Sequence, residues 1–392
     1  MRILLLSFYY PPDLSAGSFR AAALVRALCD SGAPGLSIDV LTTMPNRYKS
    51  FEAPSSLAVQ SSRVAITRVA LPAHASDMSG QARAFVTYAR AVWRATRGSH
   101  YDLVVATSSR LMTAALGAAL ARRCRSRLYL DIRDIFADTI GDVLPGAPAL
   151  LLGPVIRAIE RWTMRSASHI NLVSLGFRDY FTRRFPAVSY SYFSNGIDDE
   201  FLDVAAPPSP PAGQALRVLY AGNLGEGQGL HRILPGLVER TGGRVHFTVI
   251  GDGGRRRQLE SALEAGGLRQ HVTIKAPMPR AQLLQEYQSA DVLFVHLNAF
   301  PAFLKVLPSK LFEYGAIGKP LLAGVGGYAA EFVRTEIDNA AVFTPCDPEG
   351  AEQALMTLRL GYTDRVQFKR KFARAVIMRA MAEDVLRVAS GH

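Results

Sequence analysis

Short apolar runs alternate along the chain with stretches whose apolar positions recur at helical spacing. Residues 2–7, 37–42, 64–69, 103–106 and 127–130 read as buried strands, with helical pattern at 19–29 and 112–122 between several of them. A second series follows at 218–220, 246–250, 272–274, 292–295, 320–323 and 341–343. Brief apolar strands separated by helices predict α/β architecture, with parallel sheets covered on both faces. Between the two series, residues 205–213 (AAPPSPPAG) hold four prolines, which preclude regular structure and mark a linker. The pattern therefore predicts two doubly wound, Rossmann-like domains, 1–204 and 214–364. They are expected to face one another across a cleft at the carboxyl ends of their strands, where open α/β sheets bind ligands. Residues 365–390 read as a helix returning to the first domain.

Composition narrows the class. A chain of 392 residues with 49% hydrophobic and 20% charged positions can bury two cores and is not intrinsically disordered. Cys29, Cys124 and Cys346 are too few and too scattered for a disulfide framework or a zinc site, and they suit a reducing compartment. The opening MRILLLSFYYPP is interrupted early by polar and proline positions, so no signal peptide is expected. No uncharged apolar run reaches the roughly 18 residues that a membrane span needs. The net charge of +12 asks for an anionic partner: nucleic acid, a membrane surface or a phosphate-bearing substrate.

Several segments carry candidate chemistry. Residues 11–20 (PPDLSAGSFR) follow the first strand and precede a helix. Gly17 there either lets backbone N–H groups approach an anion or is an ordinary loop glycine. Residues 220–230 (YAGNLGEGQGL) hold Gly222, Gly225, Gly227 and Gly229, a density better explained by close ligand approach than by packing. Gly251-Asp252-Gly253 ends the next strand as a turn or a binding element. Residues 324–329 (GVGGYA), with Gly326 and Gly327, match the spacing of a dinucleotide fingerprint. They fall late in the domain, with no acidic ribose partner about 20 residues on, so NAD or FAD is not expected. The densest constellation is 303–320 (FLKVLPSKLFEYGAIGKP), where Pro308 suits a first helical position. Helical spacing puts Ser309, Glu313 and Ile317 on one side. A carboxylate at Glu313 can accept a ribose diol, and Lys305 and Lys310 supply point charges for a diphosphate. A solvated helix start is the plain alternative.

Taken in order, the Gly17 loop, Ser194-Asn195-Gly196-Ile197-Asp198, Gly251-Asp252-Gly253 and Glu313 within FEYGAIGKP resemble the retaining glycosyltransferases of the GT-B fold, family 4. The resemblance covers nearly the whole chain. It is closest to the bacterial branch that transfers N-acetylated amino sugars, such as N-acetylfucosamine, in O-antigen or capsule synthesis. It implies that Glu313 binds the nucleotide ribose, that Gly17 faces the donor diphosphate, and that Gly222 and Asn223 lie beside the nucleotide. The segment holding Gly326 and Gly327 would help form the donor pocket. It further implies a UDP-sugar donor, with GDP as the alternative, a polyprenyl-diphosphate-linked saccharide acceptor, and neither a metal nor another cofactor.

The chain departs from the family pattern. Asn223 and Gln228 stand where an Arg and a Lys are usual, and Lys305 stands where the first of two glutamates is usual. We expect Lys305 to restore the missing positive charge. Arg133, in Asp131-Ile132-Arg133-Asp134, takes the place of a customary histidine. Asp131 or Asp134 could bond the transferred sugar or assist acceptor deprotonation and Arg133 could hold a phosphate, or these residues form an internal ion pair.

On the predicted helix 81–97, Arg83, Arg90, Arg94 and Arg97 share one face, with Phe85, Tyr88 and Val92 roughly opposite. That face is a solvated surface, a nucleic-acid patch or a contact for anionic lipid heads. Aromatic residues lie away from the arginines, which disfavours a base-stacking platform, so no nucleic-acid partner is expected. A lipid-linked acceptor favours the membrane. The resulting expectation is a cytoplasmic glycosyltransferase, peripheral on the inner face of the membrane. A nucleotide-sugar epimerase of similar architecture and a nucleic-acid-binding protein are the alternatives.

Overall fold

A computed structural model describes residues 1–13, 15–45, 61–72, 78–108, 110–135, 147–204 and 214–391. The proline run at 205–213 lies outside the described residues. Two compact units result: Met1–Asn195 with Arg374–His392, and Gly196–Ala373. The division thus falls at Asn195, nine residues before the boundary expected from the sequence. The reason is packing: Phe201 and Val204 join the core of the second unit, and Ile197 N–H donates to Phe372 O at 2.7 Å.

Unit 1 runs β1 (Arg2–Ser7), α1 (Ala16–Asp30), β2 (Ser37–Thr43), β3 (Val64–Val69), α2 (Met78–Ala95), β4 (Leu103–Ser108), α3 (Leu111–Cys124), β5 (Arg127–Ile132), α4 (Ala147–Arg165), β6 (His169–Leu172), α5 (Arg178–Arg184) and β7 (Ser189–Ser191). Its parallel sheet has the order β3-β2-β1-β4-β5-β6-β7. Strand β1 is buried from Ile3 to Ser7 because helices cover both faces, which is why it reads as an unbroken apolar run. The order reverses between β1 and β4, so their carboxyl ends form the crevice in which doubly wound sheets bind ligands. Helix α1 begins there, its first turn closed by the Ser15 hydroxyl accepting from Ser18 N–H at 3.1 Å.

Unit 2 runs β8 (Leu216–Ala221), α6 (Leu230–Thr241), β9 (Val245–Ile250), α7 (Arg256–Ala265), β10 (Val272–Lys275), α8 (Arg280–Ser289), β11 (Val292–His296), α9 (Lys310–Ile317), β12 (Leu321–Gly324), α10 (Gly327–Glu336), β13 (Ala340–Phe343), α11 (Pro348–Thr357) and α12 (Val366–Phe372). Its sheet order is β10-β9-β8-β11-β12-β13, with the switch point between β8 and β11. The single C-terminal helix expected from 365 onwards is instead two. Helix α12 stays with unit 2, and the chain turns at Ala373 into α13 (Arg374–Ser390), which belongs to unit 1. There Met378, Met381, Ala382 and Val385 pack against Leu24, Val25 and Leu28 of α1. Each buried Met, Val or Leu there contributes about 1.5–3 kcal/mol. Among the described residues, no helix is long and apolar enough to cross a membrane.

Candidate functional site

In unit 2 the loop after β8 lies at the switch point. Gly222 N–H donates to Ile250 O at 2.9 Å, and Leu224 N–H to Asp252 O at 2.9 Å, so this loop and the turn after β9 are laced together. Gly251 adopts φ +150°, and a Cβ there would collide with the Gly222 carbonyl oxygen. Close backbone approach within the protein therefore accounts for this glycine. Packing likewise explains three loop glycines that the sequence suggested were open to a ligand. Gly225 abuts Asn223 and Gln228, Gly227 abuts Phe303, and Gly229 abuts Asn298. Asn223 Nδ2 donates to Gln228 Oε1 at 2.9 Å, so the two residues standing for the customary cations bond each other across the loop.

His296, at the end of β11, fastens that loop from below. Nδ1 lies 2.7 Å from Gln228 O and Nε2 accepts from Cys346 N–H at 2.9 Å, which fixes the proton on Nδ1. Burial between Phe294 and Phe343 pushes its pKa down to about 4, against the opposing pull of the Gln228 carbonyl.

Glu313 sits in the first turn of α9. Its Oε2 accepts from Lys310 Nζ at 2.8 Å and from Tyr287 Oη at 3.3 Å, and Lys310 also donates to Tyr287 Oη at 3.1 Å. Burial opposes the Lys310 charge, but the Glu313 carboxylate outweighs it and holds the ammonium above its ordinary pKa. Lys310 thus orients Glu313, with two of its three N–H donors engaged. Beneath them Tyr314 Oη accepts from Ala221 N–H at 2.9 Å, tying α9 to the end of β8. Among the described residues nothing bonds Glu313 Oε1, leaving it for a ligand. Pro308 lies before the helix and Ser309 caps it in helical conformation without a side-chain bond. Lys305 ends a 3₁₀ turn, Pro301–Lys305, which the loop after β8 meets through Phe303 on Gly227. The same turn lies under Gly326 and Gly327, where added Cβ atoms would meet Leu304.

In unit 1, Asp131 is fully buried. Arg20 Nε and the Thr107 hydroxyl donate to Oδ2 at 2.8 and 2.9 Å, and a second Arg20 nitrogen and Asn171 Nδ2 donate to Oδ1 at 2.9 and 2.7 Å. Burial would raise its pKa, but Arg20 overcomes this and holds the carboxyl below its usual value. No lone-pair direction is left for a substrate, so the expected catalytic role of Asp131 is corrected to a structural one. Strand β5 ends at Ile132, and Arg133 turns toward the start of α1, where its guanidinium fills the space a side chain at Gly17 would take. Asp134 is half-buried, with Oδ1 accepting from Ile135 N–H at 2.9 Å. A pocket at the carboxyl ends of β1, β4 and β5 is lined by Phe8, Tyr9, Gly17, Thr107, Arg110 and Arg133.

On α2, Arg83, Arg90 and Arg94 are exposed, as is Arg97 just beyond its end, while Tyr88 and Val92 are fully buried. Exposed Trp93 lies between these arginines, with the Arg123 guanidinium 4.1 Å from its ring centroid.

Residues 206–374 match the model of the glycosyl transferases group 1, and residues 17–196 that of a glycosyl transferase 4-like domain. The fold is that of sucrose-phosphate synthase from Thermosynechococcus elongatus, with a TM-score of 0.77 and 16% identity over all of both chains. The chain belongs to the GT-B glycosyltransferases. Over 191 residues the glycosyltransferase is 26% identical to the amylovoran biosynthesis glycosyltransferase AmsK of Erwinia amylovora, which is 45% of this chain and 46% of that one. The match thus spans about half of AmsK. Anabaena HepE, in complex with UDP-glucose, shares the fold with a TM-score of 0.64 and 16% identity, over 100% of this chain and 97% of that one.

Sequence reasoning about this glycosyltransferase missed three residues. Arg20 sits on the stripe of α1 that continues through buried Leu24 and Leu28, and a charge at that spacing was the available signal of a buried ion pair. His296 lies one residue past the strand expected at 292–295 and belongs to no motif. Arg110 falls just ahead of the helical pattern at 112–122 and belongs to no motif.

Proposed function

We propose that the enzyme is a retaining glycosyltransferase that moves a sugar, an N-acetylated amino sugar, from a UDP-sugar to a polyprenyl-diphosphate-linked saccharide in surface-polysaccharide synthesis. The observation that carries the reading is the Glu313 carboxylate. Lys310 and Tyr287 fix one of its oxygens and leave the other for the ribose diol. HepE, in complex with UDP-glucose, supports the donor class, and AmsK, named for amylovoran biosynthesis, supports the polysaccharide context. In this reading unit 2 takes the donor, with Gly222, Gly251, Ser309, Gly326 and Gly327 around the nucleotide. Lys305 meets the diphosphate and stabilises the charge that develops as it leaves, without a metal. Unit 1 meets the acceptor, and the arginine face of α2 holds the enzyme to the cytoplasmic side of the membrane.

A thermal-shift screen with UDP, GDP, ADP and their sugar conjugates tests the donor assignment. At a hundredfold excess over Kd, a ligand bound only by folded protein adds about 2.7 kcal/mol, or roughly 5–10 °C for a unit of this size. UDP and UDP-sugars should produce that shift, and Glu313→Gln should weaken them ten- to a hundredfold through the loss of charge-assisted bonds. Stabilisation by none of them, or equal binding by the variant, rejects the reading.

A further inference from the structure

Asn298 lies two residues beyond β11 in unit 2 and is 1% exposed. Its Nδ2 donates to Glu226 O at 2.9 Å and its backbone N–H to Gly227 O at 2.8 Å, while His296 Nδ1 bonds Gln228 O at 2.7 Å. Three successive carbonyls of the glycine-rich loop are thus drawn toward the end of β11. A trans peptide points its N–H opposite its C=O, so the amides of Gly227, Gln228 and Gly229 face the other way. Those of Gln228 and Gly229 turn back to Gly225 O at 3.3 Å. Those of Gly225, Glu226 and Gly227 have no partner among the described residues.

The other end of the side chain is held as firmly. Asn298 Oδ1 accepts from Arg232 Nη1 at 2.8 Å, from Ala299 N–H at 2.9 Å and from Cys346 Sγ at 3.3 Å. Donors on that oxygen fix which way the amide is turned, and Nδ2 is left to face Glu226. The loop meets Asn298 again at Gly229, where φ is +60° and a Cβ would lie 3.1 Å from the Asn298 side chain. A buried amide is costly unless all of its groups are bonded, and here four of its bonds join the loop, α6 and the segment after β13.

We propose that Asn298 is a positioning residue for the donor: without touching it, Asn298 holds the loop after β8 in the shape that keeps the Gly225–Gly227 amides unspent. The proposal rests on the assignment of the donor to unit 2. Asn298→Asp keeps the shape and the acceptor that serves Arg232, Ala299 and Cys346, but replaces the donor to Glu226 by a second acceptor. Gly229→Ala presses a methyl group onto Asn298 from the loop side. Leu263→Ala, in the core beneath α7, lowers stability without touching Asn298. UDP titration calorimetry and amide hydrogen exchange are measured on the full chain for the parent and these three variants. In Asn298→Asp and Gly229→Ala the Gln228 and Gly229 amides should exchange about tenfold faster or more. Their affinity for UDP should fall roughly ten- to a hundredfold, whereas Leu263→Ala should melt earlier yet bind UDP as the parent does. Parental affinity in Asn298→Asp overturns the proposal, as does an equal loss in Leu263→Ala, which would make the effect one of stability alone. Should Asn298→Asp fail to fold, Gly229→Ala decides, and parental affinity there overturns it. A parent that binds no UDP rejects the donor assignment and the proposal with it, whereas equal binding by parent and variants rejects the proposal alone.

Discussion

Replacing Asp131 by asparagine removes one charge and changes almost no volume, which isolates the role of the carboxylate. In the parent, four donors converge on it, two of them from Arg20, and both side chains of the pair are about 1% exposed. The amide would leave the Arg20 guanidinium charged and enclosed, still bonded to the Ser194 and Phe193 carbonyls but without its counter-charge. Removing one member of a buried pair costs about 3–5 kcal/mol. For a unit of roughly 200 residues, each kcal/mol moves the midpoint by about 2–4 °C, so the unit 1 transition should fall by about 10 °C. Differential scanning calorimetry resolves that transition from the one of unit 2. A paired Arg20→Leu/Asp131→Leu variant should recover part of the loss, because no charge is then left stranded. A melting curve unchanged by Asp131→Asn, alongside abolished sugar transfer, would falsify the structural assignment and return Asp131 to the chemistry.

Other outcomes follow from the same geometry. The folded pKa of His296, about 4, lies below its unfolded value of roughly 6.5, so the neutral ring contributes fully above pH 6.5. As pH falls, the unfolded chain takes up a proton that the folded one refuses, costing about 2 kcal/mol by pH 5 and levelling near 3 kcal/mol below pH 4. The melting-temperature gap between parent and His296→Gln should therefore narrow from pH 7 to pH 5, and a constant gap contradicts the assignment. Lys305→Ala should raise the Kd for a UDP-sugar at least tenfold by titration calorimetry while leaving the melting temperature near that of the parent; unchanged affinity rules out its service to the diphosphate. The paired Arg90→Glu/Arg94→Glu variant should sediment far less with anionic liposomes, each basic residue being worth about 1 kcal/mol at such a surface. Equal sedimentation removes the membrane contact.

Most of the fold was legible in sequence because strands covered on both faces carry unbroken apolar runs, as β1, β4 and β11 do over residues 3–6, 103–106 and 292–295. Strands β6 and β7 escaped detection for a physical reason. Their sequences, HINL and SYS, carry polar side chains whose partners lie in neighbouring strands: His169 bonds Ser189 and Ser191, and Asn171 bonds Asp131. Such pairing is invisible to a pattern of apolar positions. The site divided in the same way. Glu313 and Gly17 stand out as candidates from motif and position alone. That Lys310 serves Glu313, and that Arg20 instead of Arg133 bonds Asp131, depends on contacts between residues up to 111 positions apart.

Helix α13 completes the core of unit 1 although it comes after all of unit 2 in the chain. During synthesis, residues 196–373 emerge and can close their own sheet while the first 195 still lack one wall of theirs. The exposed stripe of α1, with Leu24 and Leu28 uncovered, must wait on the ribosome for Met378, Met381 and Val385 to arrive. Unit 1, though begun first, is finished last, and a chain cut at Ala373 would yield a folded unit 2 tethered to an open, aggregation-prone unit 1.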